Sequence, residues 1–422
     1  MAGQKRTRAH QPSNSEDADV GPLPPVEDDS DDEDVGPAPP PLEGQEDQDG
    51  SRTTAALASS KKKRRRVLPA EALYLKHLPS ASRYYKSFMH RDPVCRADVT
   101  PHPTNFVITA SIDGHVKFWK KQEEGIEFVK HYRAHLGPIV GTSVSADGAL
   151  YASISTDGSV KVFDVANFDM INMINLSFTP RACCWVHKRG KASTILAISE
   201  EGSNKIHLFD GKGEDTPSAT IESVHRKPCH LIVYNERYDT VLSADISGLI
   251  EYWRPEEPYQ QPKDVPRIWT YKSDTDLLDF KKSKSVPCSF RLSPDGSRFS
   301  AMSLPDRQMR LFSFASGKLL RKYDESLRAM QEMQQAGTAV YTLDEMEFGR
   351  RLAMEKDLDA GVGIVHGKVQ EGASLFESGA QHATGLATAN AIFDESGNFL
   401  LYATMLGIKS ESVVSAASSK QV

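Results

Sequence analysis

The sequence predicts an all-β domain, a β-propeller, behind a disordered N-terminal tail, and three observations support this. A phrase of two strands around a tight Asp/Gly turn recurs along most of the 422-residue chain. Each copy ends in an aromatic residue, and the spacing of the copies is close to the ~40–45 residues of a four-stranded propeller blade. Residues 1–60 have a different composition, one that is typical of disordered segments.

The N-terminal tail lacks the residues that build a core. Residues 1–60 are rich in Pro, Gly, Ser, Asp and Glu, and the first aromatic residue of the chain is Tyr74. Residues 1–50 hold 14 acidic and 3 basic residues, whereas the whole chain carries a net charge of −6, so the remainder is mildly basic. Such a segment buries too little apolar surface to offset its conformational entropy, and we expect residues 1–73 to be disordered.

A run of six basic residues closes the acidic part of the tail. The run consists of Lys61, Lys62, Lys63, Arg64, Arg65 and Arg66. Adjacent cations on a flexible segment fit the acidic grooves of nuclear import receptors, which predicts a nuclear location and an import receptor as a partner. Two alternatives remain open: an electrostatic counterweight to the acidic tail, or a weak contact with nucleic acid.

The repeated phrase defines five blades. Its copies are ITASIDGHVKFWK (108–120), YASISTDGSVKVFD (151–164), LAISEEGSNKIHLFD (196–210), VLSADISGLIEYWR (241–254) and the looser FSAMSLPDRQMRLFS (299–313). The terminal aromatics are Trp119, Phe163, Phe209, Trp253 and Phe312, and they lie 44, 46, 44 and 59 residues apart. Because this interval is one blade long, the repeat predicts blades stacked radially into a disc.

The second blade shows how four strands fit one repeat. Its strands are predicted at 139–145, 150–156, 160–166 and 170–176. The turns at 146–148 and 156–158 contain the Asp-Gly pair that tight hairpins prefer. Ser293-Pro294-Asp295-Gly296 occupies the matching position in the fifth blade.

The C-terminal part of the domain departs from the repeat. Leu327, Met330 and Met333 recur at helical spacing, so a helical insertion is predicted at about 325–358, followed by a Gly/Ala-rich loop at 359–387. Strands near 389–394 and 399–405 open a sixth blade. The polar residues 410–422 are predicted to be disordered, which leaves that blade incomplete and makes 74–409 the propeller domain.

Composition argues against several functional classes. The five cysteines form no CxxC pair and no Cys/His cluster with metal spacing, so neither a metal site nor a cofactor is predicted. An unpaired set of cysteines indicates reduced thiols in the cytosol or nucleus. The sequence has no apolar run of membrane-spanning length, so no membrane partner is expected.

The blade phrase resembles WD repeats, in which a His, a Ser or Thr, a turn Asp and a strand-end Trp form a buried hydrogen-bonded relay. In the first blade the matching residues are His90, Ser111, Asp113 and Trp119. The second blade has His135, Ser155 and Asp157, and the fourth has His225, Asp245 and Trp253.

Two blades depart from the WD pattern. Phe163 replaces Trp in the second blade and has no N–H to donate. In the fourth blade Asp245 and Ser247 stand in exchanged positions. The set repeats once per blade, which favours a structural relay over a catalytic triad.

Longer segments resemble one family more closely. LPSASRYYKSFMHRD (78–92), DGHVKFWKKQEEGIEFVKHYRAHLG (113–137), NFDMINMINL (167–176), MEFGRR (346–351) and FDESGNFLLYATMLGIK (393–409) are similar to the spliceosome-associated cyclophilins that carry N-terminal WD repeats. The resemblance implies a nuclear protein that joins the splicing machinery through its propeller, in a family whose ring has seven or more blades. It also implies a cyclophilin domain, but the FHR, FMxQxGD and FF segments of that domain's proline pocket are missing from this sequence, so we expect no catalytic residues in the chain.

Three functional hypotheses follow. The first is a scaffold that binds splicing proteins and is itself monomeric within a larger complex. The second is prolyl isomerisation, which the family's enzyme name suggests although the pocket segments are missing. The third is direct RNA binding through the run at 61–66, although the aromatic platforms of RNA-recognition modules are missing. For the scaffold itself, RNA is expected only as an indirect partner.

Overall fold

Six β-sheets, each the blade of a propeller, make up most of the described structure. This is a computed structural model that describes residues 68–78, 90–123, 125–186, 188–190, 194–262, 268–337, 343–361, 363–365, 367–370, 390–414 and 419–421. The chain divides into two compact units, residues 1–62 and residues 63–422. The first unit, with most of the predicted tail, lies outside the described residues, and the second contains the propeller.

A short helix, α1 (Glu71–His77), precedes the blades. It crosses the predicted boundary at residue 73, so the segment predicted to be disordered is helical over its last three residues. The ring of Tyr74 lies 6.3 Å from that of Phe399, which belongs to the sixth blade. This contact packs the helix against the far end of the repeat array.

Blades 1 and 2 are four-stranded antiparallel sheets whose strands follow chain order from the centre of the disc outwards. Their strands are β1 (Val94–Val99), β2 (Phe106–Ser111), β3 (His115–Lys121), β4 (Ile126–Arg133), β5 (Ile139–Val144), β6 (Leu150–Ser155), β7 (Ser159–Asp164) and β8 (Asp169–Asn175). Gly114 lies in the turn between β2 and β3 with φ of +82°, and a Cβ there would overlap the carbonyl of His135. The close approach of blade 1 to the loop before blade 2 therefore requires glycine.

Blades 3 and 4 differ in their number of strands. Their strands are β9 (Pro180–Trp185), β10 (Ile195–Glu200), β11 (Ile206–Asp210), β12 (Ala219–Ile221), β13 (Cys229–Asn235), β14 (Thr240–Asp245) and β15 (Ile250–Trp253). Blade 4 has three strands among the described residues. The chain beyond Trp253 instead forms turns, a 3₁₀ turn η1 (Lys272–Asp274) and a short helix α2 (Asp279–Lys282).

Blade 5 consists of β16 (Val286–Leu292), β17 (Arg298–Leu304), β18 (Gln308–Ser313) and β19 (Leu319–Asp324). Two helices follow where one insertion was predicted: α3 (Leu327–Gln335), which Ser326 caps by accepting a hydrogen bond from the Ala329 N–H, and α4 (Glu345–Gly361). Helix α4 therefore extends three residues into the predicted loop. That loop also contains a small hairpin, β20 (Ile364–Val365) and β21 (Lys368–Val369), while residues 371–389 lie outside the described residues.

The sixth blade is complete, which corrects the prediction that it lacks outer strands. Its strands are β22 (Ala391–Phe393), β23 (Phe399–Thr404), β24 (Gly407–Ser412) and β25 (Ser419–Gln421), in that order across the sheet. The last strand pairs with β24 at Lys409–Gln421, Ser410–Lys420 and Glu411–Ser419. Small polar residues gave no strand signal, but ladder hydrogen bonds join backbone groups and need no particular side chain.

Five apolar clusters fix successive blades against one another. Ile108 and Phe118 meet Tyr151 and Phe163 between blades 1 and 2, and similar clusters join blades 2 to 3, 3 to 4, 4 to 5 and 5 to 6. No cluster of the described residues joins blade 6 to blade 1. Apolar clusters of the described residues therefore join five of the six junctions between neighbouring blades.

Candidate functional site

The relay of blade 4 is fully enclosed. His225 lies before β13, and its Nε2 is 2.7 Å from Oγ of Ser243 in β14. Nε1 of Trp253, at the end of β15, donates to the same Oγ over 3.1 Å. All three side chains are buried. One hydroxyl thus links the loop before the blade to its second and third strands.

Asp245 completes the relay of blade 4. Its Oδ2 lies 3.7 Å from Nδ1 of His225, and its Oδ1 accepts hydrogen bonds from the Ser247 and Leu249 N–H groups at 2.9 and 3.0 Å. Burial alone would raise the pKa of this carboxyl, but the neighbouring His225 imidazole and the hydrogen bonds from Ser247 and Leu249 bring it below its usual range. The carboxylate therefore fixes the turn through hydrogen bonds and lies beside the imidazole without a hydrogen bond to its Nδ1.

Blade 2 repeats the arrangement without a tryptophan. Nε2 of His135 is 2.8 Å from Oγ of Ser153, and its Nδ1 is 2.9 Å from Oγ of Ser159 and 3.4 Å from Oδ2 of Asp157. Asp157 also accepts from the Leu136 N–H at 3.0 Å. Burial lowers the pKa of His135 to about 4, so this imidazole is neutral near pH 7.

The relay of blade 1 is less enclosed. Nε2 of His90 lies 2.8 Å from Oγ1 of Thr109, and Nε1 of Trp119 donates to the same oxygen over 2.8 Å. Asp113 instead accepts from the His115 N–H at 3.3 Å and lies 3.9 Å from that residue's Nδ1. Trp119 is partly exposed, whereas the strand-end aromatics of the next four blades are buried.

The hydroxyl of the relay belongs to Thr109, Ser153 and Ser243, which corrects the prediction of Ser111 and Ser155. Ser111 Oγ donates to the carbonyls of Asp92 and Pro93, and Ser155 Oγ accepts from the Asp157 N–H at 3.3 Å. Residues two apart in a strand share a face, so both positions suit a relay by pattern alone. The distinguishing signal is a hydroxyl ten residues before the strand-end aromatic.

Blade 5 has replaced the relay by a buried arginine. The Arg310 side chain is buried, and its Nε and Nη2 lie 2.7 and 2.8 Å from the carboxylates of Asp279 and Asp306. Its guanidinium also lies 4.6 Å from the centre of the Phe280 ring. Two carboxylates and a ring face satisfy the charge, so this cation ties α2 to the blade.

The His–Ser–Asp set of blade 4 is sealed from solvent, whereas the aspartates of the sets in blades 1 and 2, Asp113 and Asp157, are each 18% exposed. In blade 4 the side chains of His225 and Asp245 are 0% and 1% exposed, and Ser243 is 0% exposed. A nucleophilic hydroxyl needs a substrate within bonding distance, and no substrate can reach an oxygen buried between two sheets. These sets therefore act in packing, by holding three segments of a blade together.

The centre of the disc is a channel surrounded by the innermost strands of all six blades. Its wider part has a volume of about 760 Å³ and is lined at one rim by the turns at Ala146, Glu236 and Pro294. A narrower part of about 130 Å³ is lined by Arg96, Arg181, Asp98 and further residues of the same strands. The channel was not predicted from the repeat pattern.

Other kinds of site are not found in the described part of the chain. No group of three or more His, Cys, Asp or Glu side chains there is placed to hold a metal ion. No described helix has both the length and the apolar character to span a bilayer. Cys184, Cys229 and Cys288 are buried thiols whose pKa burial raises to about 12. The predicted import signal at 61–66 lies outside the described residues.

Comparison with known proteins agrees with the architecture. The family described as WD domain, G-beta repeat matches residues 83–120 and 126–164, which span blades 1 and 2. Together with six sheets arranged around one channel and the relay in three blades, this match defines a WD-repeat β-propeller.

The family within that class follows from longer matches. Over 82% of its length the chain is 47% identical to a peptidyl-prolyl cis-trans isomerase of Rhizopus delemar, covering 51% of that protein. It is 46% identical to the human peptidylprolyl isomerase domain and WD repeat-containing protein 1, covering 49% of it. The chain belongs to the family of peptidylprolyl isomerase domain and WD repeat-containing proteins, and it spans about half the length of these relatives. A more distant match, 27% identical over 45% of the chain, is an mRNA export factor of Xenopus tropicalis.

Proposed function

We propose that this chain is a nuclear scaffold that acts in pre-mRNA splicing through protein–protein contacts of its disc. The observation that carries the proposal is the set of five buried junctions, which hold six blades as one rigid platform. Function in such folds lies in the loops and channel that the platform presents. The resemblance of five long segments to spliceosome-associated cyclophilins supplies the process, and a distant relative named for mRNA export is in keeping with it.

The test is affinity purification of the tagged 422-residue chain from nuclear extract, with mass spectrometry of what binds. We expect splicing proteins to be enriched over an extract passed through tag alone. A pull-down without splicing proteins contradicts the scaffold role.

The basic run is proposed as the import signal that brings the scaffold to its site. The control is a variant with all six residues at 61–66 replaced by Gln, which leaves the described propeller untouched. We expect this variant to stay in the cytoplasm and to bind the same splicing proteins when it is added directly to extract. Nuclear accumulation equal to wild type contradicts an import signal.

Isomerase activity is the alternative that the relatives' names favour. The chain aligns with about half of each of those proteins, and the described residues on that alignment form the propeller. We expect the purified chain to leave the cis-to-trans rate of a prolyl peptide at the uncatalysed value. A cyclosporin-sensitive acceleration contradicts this expectation and makes the chain an enzyme.

Direct RNA binding is the third hypothesis, and the run at 61–66 motivates it. If it is right, the all-Gln variant has a weaker affinity for single-stranded RNA and a shallower dependence of affinity on salt.

We also expect the scaffold to be monomeric on its own, which the molar mass from light scattering measures.

A further inference from the structure

Three arginines converge on the narrow part of the central channel. Arg96 lies in β1, Arg181 in β9 and Arg291 in β16, so they come from three different blades. The acidic residue among the lining of this part is Asp98, whose Oδ2 accepts a hydrogen bond from the Thr142 hydroxyl at 2.5 Å. The narrow channel therefore carries an excess of positive charge.

The guanidinium groups are poorly satisfied by the protein. Arg96 donates from Nη2 to the Val140 carbonyl at 3.0 Å, while its buried Nε has no hydrogen-bond partner. Arg181 and Arg291 have no side-chain hydrogen bond or ion pair with the described residues. Arg96 and Arg181 are half-buried and Arg291 is exposed, and the buried Nε of Arg96 costs free energy while it lacks a partner. The three side chains therefore offer N–H groups that the described residues leave unused.

The positive charges also act on one another. Burial, with a further contribution from the charge of Arg96, lowers the pKa of Arg181 against the opposing influence of Glu201. Arg310, by contrast, is fully buried and lies within 2.8 Å of two carboxylates. The three arginines of the channel form no ion pair with the described residues and share one lining carboxylate, that of Asp98.

A phosphate group has the chemistry that this set accommodates. Planar guanidinium forks bind phosphate through paired hydrogen bonds, and the lining cations of the narrow part are arginines rather than lysines. With Asp98 counted, the three arginines leave a net charge of +2, which a dianionic phosphate would offset and one carboxylate would halve.

The channel walls favour a peptide as the carrier of that phosphate. The innermost strand of each blade pairs on one side only, so its free edge offers backbone groups to an extended chain. Single-stranded RNA needs several exposed aromatic platforms, but among the aromatic residues of the lining Trp185 and Phe290 are buried, and Tyr234 is only partly exposed. The wider part, about 760 Å³, gives a peptide access to the arginines.

We propose that the central channel binds a phosphorylated segment of a partner protein, with its phosphate held between Arg96, Arg181 and Arg291. This inference rests on the proposed scaffold function and specifies the chemistry of one of its partners.

The test measures binding of the full chain to two degenerate nine-residue peptide libraries, one with a central phosphoserine and one with serine. We expect the phosphoserine library to bind, inorganic phosphate to compete, and Arg181→Gln and Arg291→Gln each to weaken binding about 10-fold, the loss typical of one charge-assisted contact. Arg226→Gln, an exposed arginine outside the channel lining, is the matched control and should bind as wild type. Asp98→Asn should tighten binding, because it removes the negative charge beside the phosphate.

Several outcomes overturn the proposal. One is equal binding of the phosphoserine and serine libraries. Another is unchanged binding by the Arg181 and Arg291 variants, provided that their thermal unfolding matches wild type. The third is displacement of the phosphoserine library by single-stranded RNA that binds through the same arginines. The two proposals fail separately. If the channel proposal alone is wrong, the wild-type chain still recovers splicing proteins from extract, and Arg181→Gln recovers the same set.

Discussion

Blade 4 and blade 1 contain closely similar relays in different surroundings. In each, a histidine and the strand-end tryptophan share one hydroxyl, that of Ser243 in blade 4 and Thr109 in blade 1. Trp253 is 0% exposed and packs in the cluster between blades 3 and 4, whereas Trp119 is partly exposed and belongs to none of the apolar clusters of the described residues.

The difference shows what a strand-end aromatic does. In blades 2 to 5 the aromatic packs against the blade before it, as Phe163 packs against Phe118 of blade 1 at 5.9 Å. No apolar cluster of the described residues joins blade 1 to blade 6, the blade before it in the ring. The nearest ring to Trp119 comes from its own sheet, Phe128 at 5.5 Å, which is itself 52% exposed. The hydrogen bonds of a relay therefore form within a blade, while its burial comes from the neighbour.

Replacing Trp253 or Trp119 by Ala, one at a time, should give the largest difference in stability loss between the two blades. Trp253→Ala deletes a fully buried ring and leaves Ser243 with one partner fewer, so we expect a loss of about 3–5 kcal/mol in the free energy of unfolding. Trp119→Ala should cost about 1–2 kcal/mol, since solvent already reaches its ring. Urea titration measures both, and equal losses would mean that the ring of Trp119 is as enclosed in solution as that of Trp253.

The pH dependence of stability should separate an enclosed histidine from a less enclosed one. His135 has a pKa of about 4 in the folded chain and 6.5 as its ordinary value, so the unfolded chain binds more protons between these pH values. Stability from this residue is complete above pH 6.5 and falls as the pH falls towards 4, by about 2 kcal/mol at pH 5.

The measurement is the change in unfolding free energy between pH 7 and pH 5, in wild type and in His135→Gln. Burial lowers the pKa of His230 to about 4, so this residue contributes to the pH dependence in the same direction as His135. Burial raises the pKa of Glu411 to about 7, so that residue contributes in the opposite direction. Only the difference between the wild-type and variant proteins is therefore informative. His135→Gln should remove about 2 kcal/mol of the change. His90→Gln should remove less, although burial also lowers the pKa of His90. An unchanged slope in His135→Gln would show that its imidazole is not enclosed.

The smallest contrast concerns two hydroxyls in one strand. Ser153→Ala leaves buried Nε2 of His135 without a partner and should cost about 1–3 kcal/mol. Ser155→Ala removes one acceptor at 3.3 Å from the Asp157 N–H and should cost about 0.5–1 kcal/mol. Thermal unfolding of the two variants ranks them. A larger loss of stability in Ser155→Ala than in Ser153→Ala would show that the relay hydroxyl belongs to Ser155, as the sequence pattern predicted.

The strands of blade 2 could be predicted from the sequence almost to the residue. The predicted first strand, 139–145, is observed at Ile139–Val144, because Asp-Gly turns fix where each hairpin reverses. The relay could be predicted only in part. Side chains alternate between the two faces of a strand, so the sequence pattern cannot distinguish Ser153 from Ser155, which lie on the same face.

The channel arginines could not be predicted from a pattern. Arg96 is the third residue of its strand, Arg181 the second and Arg291 the sixth, so no spacing groups them. Only the closure of the strands around one axis brings them together. The outer strand of blade 6 was missed for a related reason, because its pairing is carried by the backbone rather than by side-chain pattern.

Hydrogen exchange measured blade by blade tests most directly whether neighbours, rather than relays, determine blade stability. The amides of β14 and β15 should be protected close to the free energy of global unfolding, since blade 4 is covered on both faces. The amides of β2 and β3 should exchange through openings that cost measurably less, although their relay is intact. Equal protection of the two blades would contradict the account, because blade 1 would then be as stable as blade 4 although an apolar cluster of the described residues covers only one of its faces.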